Sequence, residues 1–301
     1  SLWTITQGRP RLVEHSWSRL KGVVNNFNAS PLSRSILGLG VDEHLSMPGK
    51  LMGYAAWGTV RPELLTWLSA NGWLQDAPGS PEQLLHTLRE KLGADLCWDL
   101  QDARLQDLAA AIQHGFEEAV CGALQGHGAA HAAQTLYYAG GAALNIPTNA
   151  RLEEHFPQVF VPPCPNDTGL ALGAAAWLEH CEHGPLPKHS PFLNHFDVPV
   201  EPPDHHAIPE VAERLAAGQI VGVCNGAGEI GPRALGHRSL LARADDPALR
   251  QRLSEGIKRR EWYRPLAPVI AAERAADVLG TGPAQSPLAR WMLGSWPIQP
   301  C

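Results

Sequence analysis

Between Gly228 and Ala267 the chain carries nine basic residues (Arg233, Arg238, Arg243, Arg250, Arg252, Lys258, Arg259, Arg260, Arg264) against five acidic ones (Glu229, Asp245, Asp246, Glu255, Glu261). The local excess is +4 in a chain of net charge −6, so the remainder sums to −10. A charge run alone also describes a solvated, salt-bridged surface helix. Here Gly231, Pro232, Gly236 and Pro265 interrupt it, which favours a site for a small anion such as a phosphate or acyl phosphate. Glycine lets backbone approach a ligand closely, and the planar fork of arginine matches phosphate oxygens.

A length of 301 residues suggests about two domains. No apolar run reaches membrane-spanning length, and the acidic balance gives no support for general nucleic-acid or membrane binding. Cys97, Cys121, Cys164, Cys181, Cys224 and Cys301 are scattered without a CxxC pair. They read as reduced thiols of a cytoplasmic protein and not as a disulfide or zinc framework. The opening Ser1-Leu2-Trp3-Thr4 carries no signal peptide and enters an expected hairpin from Thr4 to Glu14, so the chain reads as a fragment that lacks its N-terminal part.

Residues 16–35 suggest a loop or broken helix. Pro48 to Gly58 suggests a glycine-punctuated turn carrying Lys50. Residues 61–120 are expected to be helical. Leu105, Leu108, Ala109, Ile112, Phe116 and Val120 form one apolar stripe, with Gln106, Asp107, Gln113 and Glu117 outside it. A strand–turn–helix unit follows, in which Thr135–Tyr138 leads through Gly140-Gly141 to Asn145. Glycines at that position admit a nucleotide to a helix N-terminus, although many α/β turns carry a Gly-Gly. Val159–Val161 suggests another strand. Leu170–Trp177 suggests a small-residue helix built for close packing. Asp167 just before it serves either as a helix N-cap or as a carboxylate directed at a metal or phosphate.

The Pro- and His-rich stretch 184–206 reads as an interdomain linker. Beyond it come a helix at Val211–Ala217, a strand at Gln219–Val223 and the basic stretch. His127 and His131 stand four apart, but Gly126 and Gly128 weaken a helix there and no third ligand is near in sequence. A surface pair is the expected outcome.

The combined pattern resembles the O-carbamoyltransferases of antibiotic and nodulation-factor biosynthesis. The resemblance rests on Gly231-Pro232-Arg233-Ala234-Leu235-Gly236-His237-Arg238-Ser239-Leu240-Leu241 and on Lys258-Arg259-Arg260-Glu261-Trp262-Tyr263-Arg264-Pro265-Leu266-Ala267-Pro268. Lys50–Gly58, Gly140–Asn145 with Asn149–Leu152, and Asp167–Ala174 extend it, with Trp57 standing where the family usually has Tyr. It covers about residues 45–270 and fades after Ala272.

The resemblance implies an α/β chain with an actin/hexokinase-like ATPase domain, incomplete at its N-terminus, over 1–183. A linker at 184–206 and the start of a YrdC-like domain over 207–301 would follow. It implies that carbamoyl phosphate and ATP give carbamoyl adenylate and pyrophosphate, and that the carbamoyl group passes to a hydroxyl of a secondary metabolite or sugar. By resemblance, Arg233, Arg238, Lys258 and Arg260 carry the catalytic role, and Ser239 and Arg264 bind substrate. Gly140, Gly141, Asn145 and Lys50 meet the nucleotide, and Asp167 holds a divalent metal (iron or magnesium). The family's paired metal histidines and acceptor-activating residues are expected upstream of Ser1. A small-molecule acceptor is expected, without a membrane or nucleic-acid partner. Two further readings are a threonylcarbamoyl-tRNA-type transferase and a non-catalytic nucleotide-binding remnant.

Overall fold

The computed structural model describes residues 1–14, 27, 31–43, 45–73, 81–93, 95–96, 98–127, 133–185, 190–194 and 207–300. His131, Cys97, Cys301, residues 16–26 and most of the expected linker lie outside these. The described chain is mixed α/β and falls into two compact units. One comprises Ser1–Thr135 with Arg151–Gln158, and the other Leu136–Ala150 with Val159–Cys301. Residues 136–150 and 159–183, expected with the first domain, therefore share a unit with the basic stretch.

In the first unit β1 (Leu2–Thr6) and β2 (Arg9–Glu14) form the expected antiparallel hairpin. Gln7 and Gly8, with φ of 51° and 74°, have the positive φ that a two-residue type I′ turn requires. Helices α1 (Pro31–Leu37), α2 (Met47–Ala55), α3 (Pro62–Ala70), α4 (Pro81–Leu92) and α5 (Ala103–Gln125) follow. The expected turn at Pro48–Gly58 is thus largely helix. Met47, Leu51 and Tyr54 bury one face at helical spacing, and that periodicity outweighs the helix cost of Gly49 and Gly53. Helix α3 buries Leu64, Trp67 and Leu68 in the same way.

The α5 stripe is buried from Leu105 to Val120 as expected. Gln113 and Glu117, expected outside it, are buried as well. They are tolerated because Gln113 Nε2 donates to Glu117 Oε1 at 2.7 Å, and Arg151 Nη1 approaches Glu117 Oε2 at 3.4 Å. The second Arg151 nitrogen donates to Glu118.

Asp102 starts α5. Its carboxylate accepts from the Arg104 backbone N–H at 2.9 Å and from the Arg104 guanidinium at 2.7 Å. The guanidinium bond holds the Asp102 carboxyl below its ordinary range, against the opposing push of burial and with help from the backbone N–H. Because the folded value is depressed, the contribution is complete above about pH 4 and is lost as pH falls through that lower value. Asp102→Ala is expected to destabilise the protein by about 1–2 kcal/mol at pH 7. Urea unfolding should show the difference shrinking as the pH is lowered from 5 towards 3.

β3 (Thr135–Tyr137) and β4 (Gln158–Phe160) pair, with α6 (Ile146–Leu152) between them in sequence, and each of the three straddles a boundary of the second unit. Helix α7 (Leu170–His183) is present, but none of its residues is buried. Close packing is therefore not what the described neighbours give it. Within the expected linker, β5 (Phe192–Asn194) is a strand. Helix α8 (Ala207–Ala216), β6 (Val221–Cys224), β7 (Gly228–Glu229) and β8 (Arg238–Leu241) come next. β5 pairs antiparallel with β7, and β6 with β8.

The short α9 (Pro247–Gln251), capped by Asp246, runs into a π-helical turn at Arg252–Ile257. Three small helices, α10 (Ala275–Leu279), α11 (Thr281–Gln285) and α12 (Pro287–Arg290), end the unit. Leu249, Leu253, Tyr263, Leu288 and Leu293 are buried. No described helix is long and apolar enough to cross a membrane. Cys121, Cys164, Cys181 and Cys224 are free thiols.

Candidate phosphate site

The site is built inside the second unit from three backbone features. The first is the Gly-Gly turn. Gly140, at φ 106°, donates its N–H to Pro165 O at 2.7 Å, and Gly141–Leu144 wind one 3₁₀ turn. Asn145 is buried and serves as the N-cap of α6, its Oδ1 accepting from the Thr148 N–H at 3.2 Å and hydroxyl at 2.9 Å. That is a local structural task for a residue expected at the nucleotide. Asn149, fully buried, donates through Nδ2 to Ala143 O and Leu293 O, both at 2.8 Å, and so ties the C-terminal segment to this turn.

The second feature is the loop from Ile230 to Gly236. Gly231 has φ 105°, and a Cβ there would lie 2.9 Å from Pro163 O and 3.0 Å from Cys164 Cβ. Only glycine gives this close approach at positive φ without strain. Two residues on, Arg233 reaches the Gly-Gly turn, Nη2 standing 3.4 Å from Leu144 O. Its Nε is buried with no hydrogen-bond partner among the described residues.

The third feature is the end of the π turn. The N–H of Lys258 donates to Leu253 O at 3.1 Å and that of Arg260 to Ser254 O at 3.0 Å. Arg259 between them takes φ 49°, a left-handed conformation that costs a non-glycine residue roughly 1–2 kcal/mol. π turns of this kind recur at functional sites.

Electrostatics unite the last two features. Burial lowers the Arg233 pKa, and the charges of Arg264 and Arg260 lower it further. Arg260 is depressed by burial and by Arg264, with Glu261 opposing. Lys258 is depressed by burial and by Arg260. Glu261 Oε2 lies 3.9 Å from Arg264 Nη1. Four cations and one carboxylate leave a cluster at +3 with a buried donor unfilled, a state that an anion with several oxygens relieves.

The other expected site residues are used differently. Arg238 spends its guanidinium on three carbonyls: Asn225 O at 3.1 Å, Gly226 O at 2.9 Å and His237 O at 2.8 Å. Ser239 Oγ accepts from the Gly236 N–H at 3.0 Å. Lys50 belongs to the first unit and pairs with Glu43 Oε1 at 2.8 Å. Asp167 is exposed in a short 3₁₀ turn (Asp167–Gly169) whose N-cap position is Asn166, so it caps neither that turn nor α7. Among the described residues, no group of three or more His, Cys, Asp or Glu is arranged to hold a metal ion. Asp167 therefore has no described companion ligand. His127 faces Glu14, with Nε2 3.4 Å from Oε2. Glu229, whose carboxylate gathers backbone N–H groups in this loop, was missed in the sequence. Its place two residues before Gly231-Pro232-Arg233 was the available signal.

Comparison with known proteins adds the family. Residues 34–176 match the family model for the carbamoyltransferase N-terminus, and residues 212–300 match that for the carbamoyltransferase C-terminus. The likeness therefore continues through the C-terminal segment, where it was expected to fade after Ala272. Nodulation protein U of Bradyrhizobium diazoefficiens is 36% identical over 267 residues, 79% of this chain and 46% of that protein. The same-named protein of Sinorhizobium fredii is 42% identical over 161 residues, 50% of this chain and 28% of that protein. The 3'-hydroxymethylcephem-O-carbamoyltransferase of Streptomyces clavuligerus is 40% identical over 153 residues, 48% of this chain and 29% of that protein. The chain thus spans less than half the length of each of these relatives.

Proposed function

Because the chain belongs to the carbamoyltransferase family, we propose that it serves an ATP-dependent O-carbamoyltransferase and that its basic cluster receives the phosphate groups of carbamoyl phosphate and ATP. In this reading residues 1–183 are of the N-terminal, actin/hexokinase-like type. Residues 207–301 are of the C-terminal, YrdC-like type, and 184–206 join them. The observation that carries the reading is Arg233: a half-buried guanidinium crowded by Arg260 and Arg264, with an unfilled Nε. A protein keeps an arginine in that state where a bound anion completes it.

The reaction consumes carbamoyl phosphate, ATP and water and yields carbamoyl adenylate, pyrophosphate and phosphate. The acceptor hydroxyl then attacks the carbamoyl carbon, a proton is lost, and AMP departs. Arg233, Lys258, Arg260 and Arg264 hold the phosphate oxygens and stabilise charge on the leaving phosphate and pyrophosphate. The Gly140-Gly141 turn lies at the Leu144 end of the Arg233 fork and offers glycine backbone to the nucleotide. Arg238 and Ser239 act by holding the loop. Asp167 offers an exposed carboxylate for the family's divalent metal, which would supply Lewis-acid chemistry at the transfer step. The acceptor is a small molecule with a free hydroxyl, the chemistry named in the cephem carbamoyltransferase.

The complete gene product, given ATP and carbamoyl phosphate, is expected to release pyrophosphate in step with carbamoyl phosphate concentration. Release at the same rate without carbamoyl phosphate, or ATP binding with no turnover, would overturn the assignment.

A further inference from the structure

We propose that Glu229 is the positioning residue of the phosphate site: one carboxylate oxygen fills a nest of backbone N–H groups and so closes the loop that carries Arg233. The proposal rests on the phosphate-site reading above and adds how Arg233 is held in place.

Glu229 is itself well fixed. It lies on β7, opposite Phe192 of β5, and the next residue, Ile230, donates its N–H to Pro191 O at 2.7 Å. From there Glu229 Oε1 accepts from the N–H groups of Leu235 at 2.7 Å, His237 at 2.8 Å and Arg238 at 3.1 Å. The remaining N–H of that run, on Gly236, goes to Ser239 Oγ. Four successive N–H groups are thus taken by two side chains, and the positive φ of Gly236, 104°, turns them to a common side.

A nest of this shape ordinarily binds an external anion. Here the chain supplies its own. Burial pushes the Glu229 carboxyl up, but the N–H groups around it outweigh burial and hold it below its ordinary range, so it is ionised at neutral pH. An external phosphate is left to the cations.

The two ends of the Arg233 loop meet at this oxygen. Residues 230–234 leave β7 at Glu229 and return to the nest at Leu235. Their middle is pressed against Pro163 and Cys164 through Gly231. His237 secures the return: its Nδ1 donates to Ala227 O at 2.8 Å, and its ring stacks on Phe192 with centroids 3.7 Å apart. Without an acceptor at Glu229 Oε1, three N–H groups lose their partner and the loop is tied at one end only. Arg233 would then have to be ordered by the ligand at the ligand's expense in affinity.

The test is calorimetric titration of carbamoyl phosphate, and separately of inorganic phosphate, into the protein and four variants. Glu229→Gln keeps an Oε1 acceptor at the same reach and is expected to bind within about threefold of the parent. Glu229→Asp keeps the charge but withdraws the oxygen by one methylene. It is expected to lose about tenfold or more, as is Glu229→Ala. Amide exchange supplies a readout that a general loss of stability would not reproduce. Leu235, His237 and Arg238 should exchange faster in Glu229→Asp, while the amides of β6 and of Ser239–Leu241 in β8 keep the parent's rates.

Arg233→Met is the reference for the site itself. If it binds weakly while Glu229→Asp binds like the parent, Glu229 does not position Arg233 and the inference fails alone. If Arg233→Met binds like the parent, the phosphate-site reading fails and takes this inference with it. Equal binding by the Gln and Asp variants would also overturn it, because oxygen placement would then be irrelevant.

Discussion

Arg233→Met is expected to weaken carbamoyl phosphate and ATP binding by about 100-fold without lowering the melting temperature of the ligand-free protein. Methionine fills the aliphatic part of the site but removes the fork and its charge. In the parent that charge is opposed by burial and by Arg264 and Arg260, and its Nε lacks a partner. Removing a buried charge that nothing compensates is neutral or stabilising, whereas removing one partner of a matched pair is costly. The two outcomes therefore separate the readings. A structural arginine, lost, lowers Tm and leaves anion affinity alone. A ligand-binding arginine, lost, lowers affinity and leaves Tm unchanged or raised.

Phosphate at about 100 times its dissociation constant should stabilise the parent by about 2.7 kcal/mol, and this gain should largely vanish in Arg233→Met. Thermal melts with and without phosphate, run beside calorimetry, measure both quantities. A drop in Tm with unchanged affinity would return Arg233 to the scaffold.

Gly58→Ala is expected to destabilise the first unit by about 3 kcal/mol or more, measured as a lowered urea midpoint. A Cβ at Gly58 would sit 2.0 Å from Gln106 O, 2.2 Å from its carbonyl carbon and 2.6 Å from Asp107 N. All three are backbone atoms of α5, which is fixed by its Asp102 cap and by buried Leu105 and Leu108. The approaching segment cannot retreat either. The Thr59 N–H donates to Asp107 Oδ1 at 2.6 Å, and Arg61 Nε to Oδ2 at 2.8 Å.

Gly49→Ala gives the contrasting control. No atom of the described residues lies within 4 Å of a Cβ there, and the residue sits inside α2. This exchange is expected to stabilise by about 0.5–1 kcal/mol. A Gly58→Ala protein within about 1 kcal/mol of the parent would mean that the contact between Gly58 and α5 is not tight.

These two glycines show where local reading stops. Both belong to the same Lys50-centred stretch, and nothing in their spacing separates them. The close approach of α5 to Gly58, and not to Gly49, depends on a helix nearly fifty residues away in sequence. The buried Gln113–Glu117 pair had the same cause. Periodicity assigned both to the polar face of α5, and Arg151, from a segment beyond the second unit's turn, allowed them to be buried.

Elements whose signal is local are legible in the residues alone. The apolar stripe of α5 follows from 3.6-residue periodicity, and the Thr4–Glu14 hairpin from β-prone runs on either side of a turn. The charge excess of Gly228–Ala267 follows from counting. Family membership was also legible, because the Gly231–Leu241 and Lys258–Pro268 motifs are long.

What each cation does, by contrast, follows from the contacts it makes in the folded chain. Arg233 and Arg238 stand five residues apart in one motif and read alike. Arg238 is satisfied by three carbonyls of its own loop, whereas Arg233 reaches across 89 positions to Leu144 with its Nε unfilled. A guanidinium's chemistry is set by the acceptors that surround it. Which acceptors those are is fixed by long-range packing, a property that no local pattern encodes.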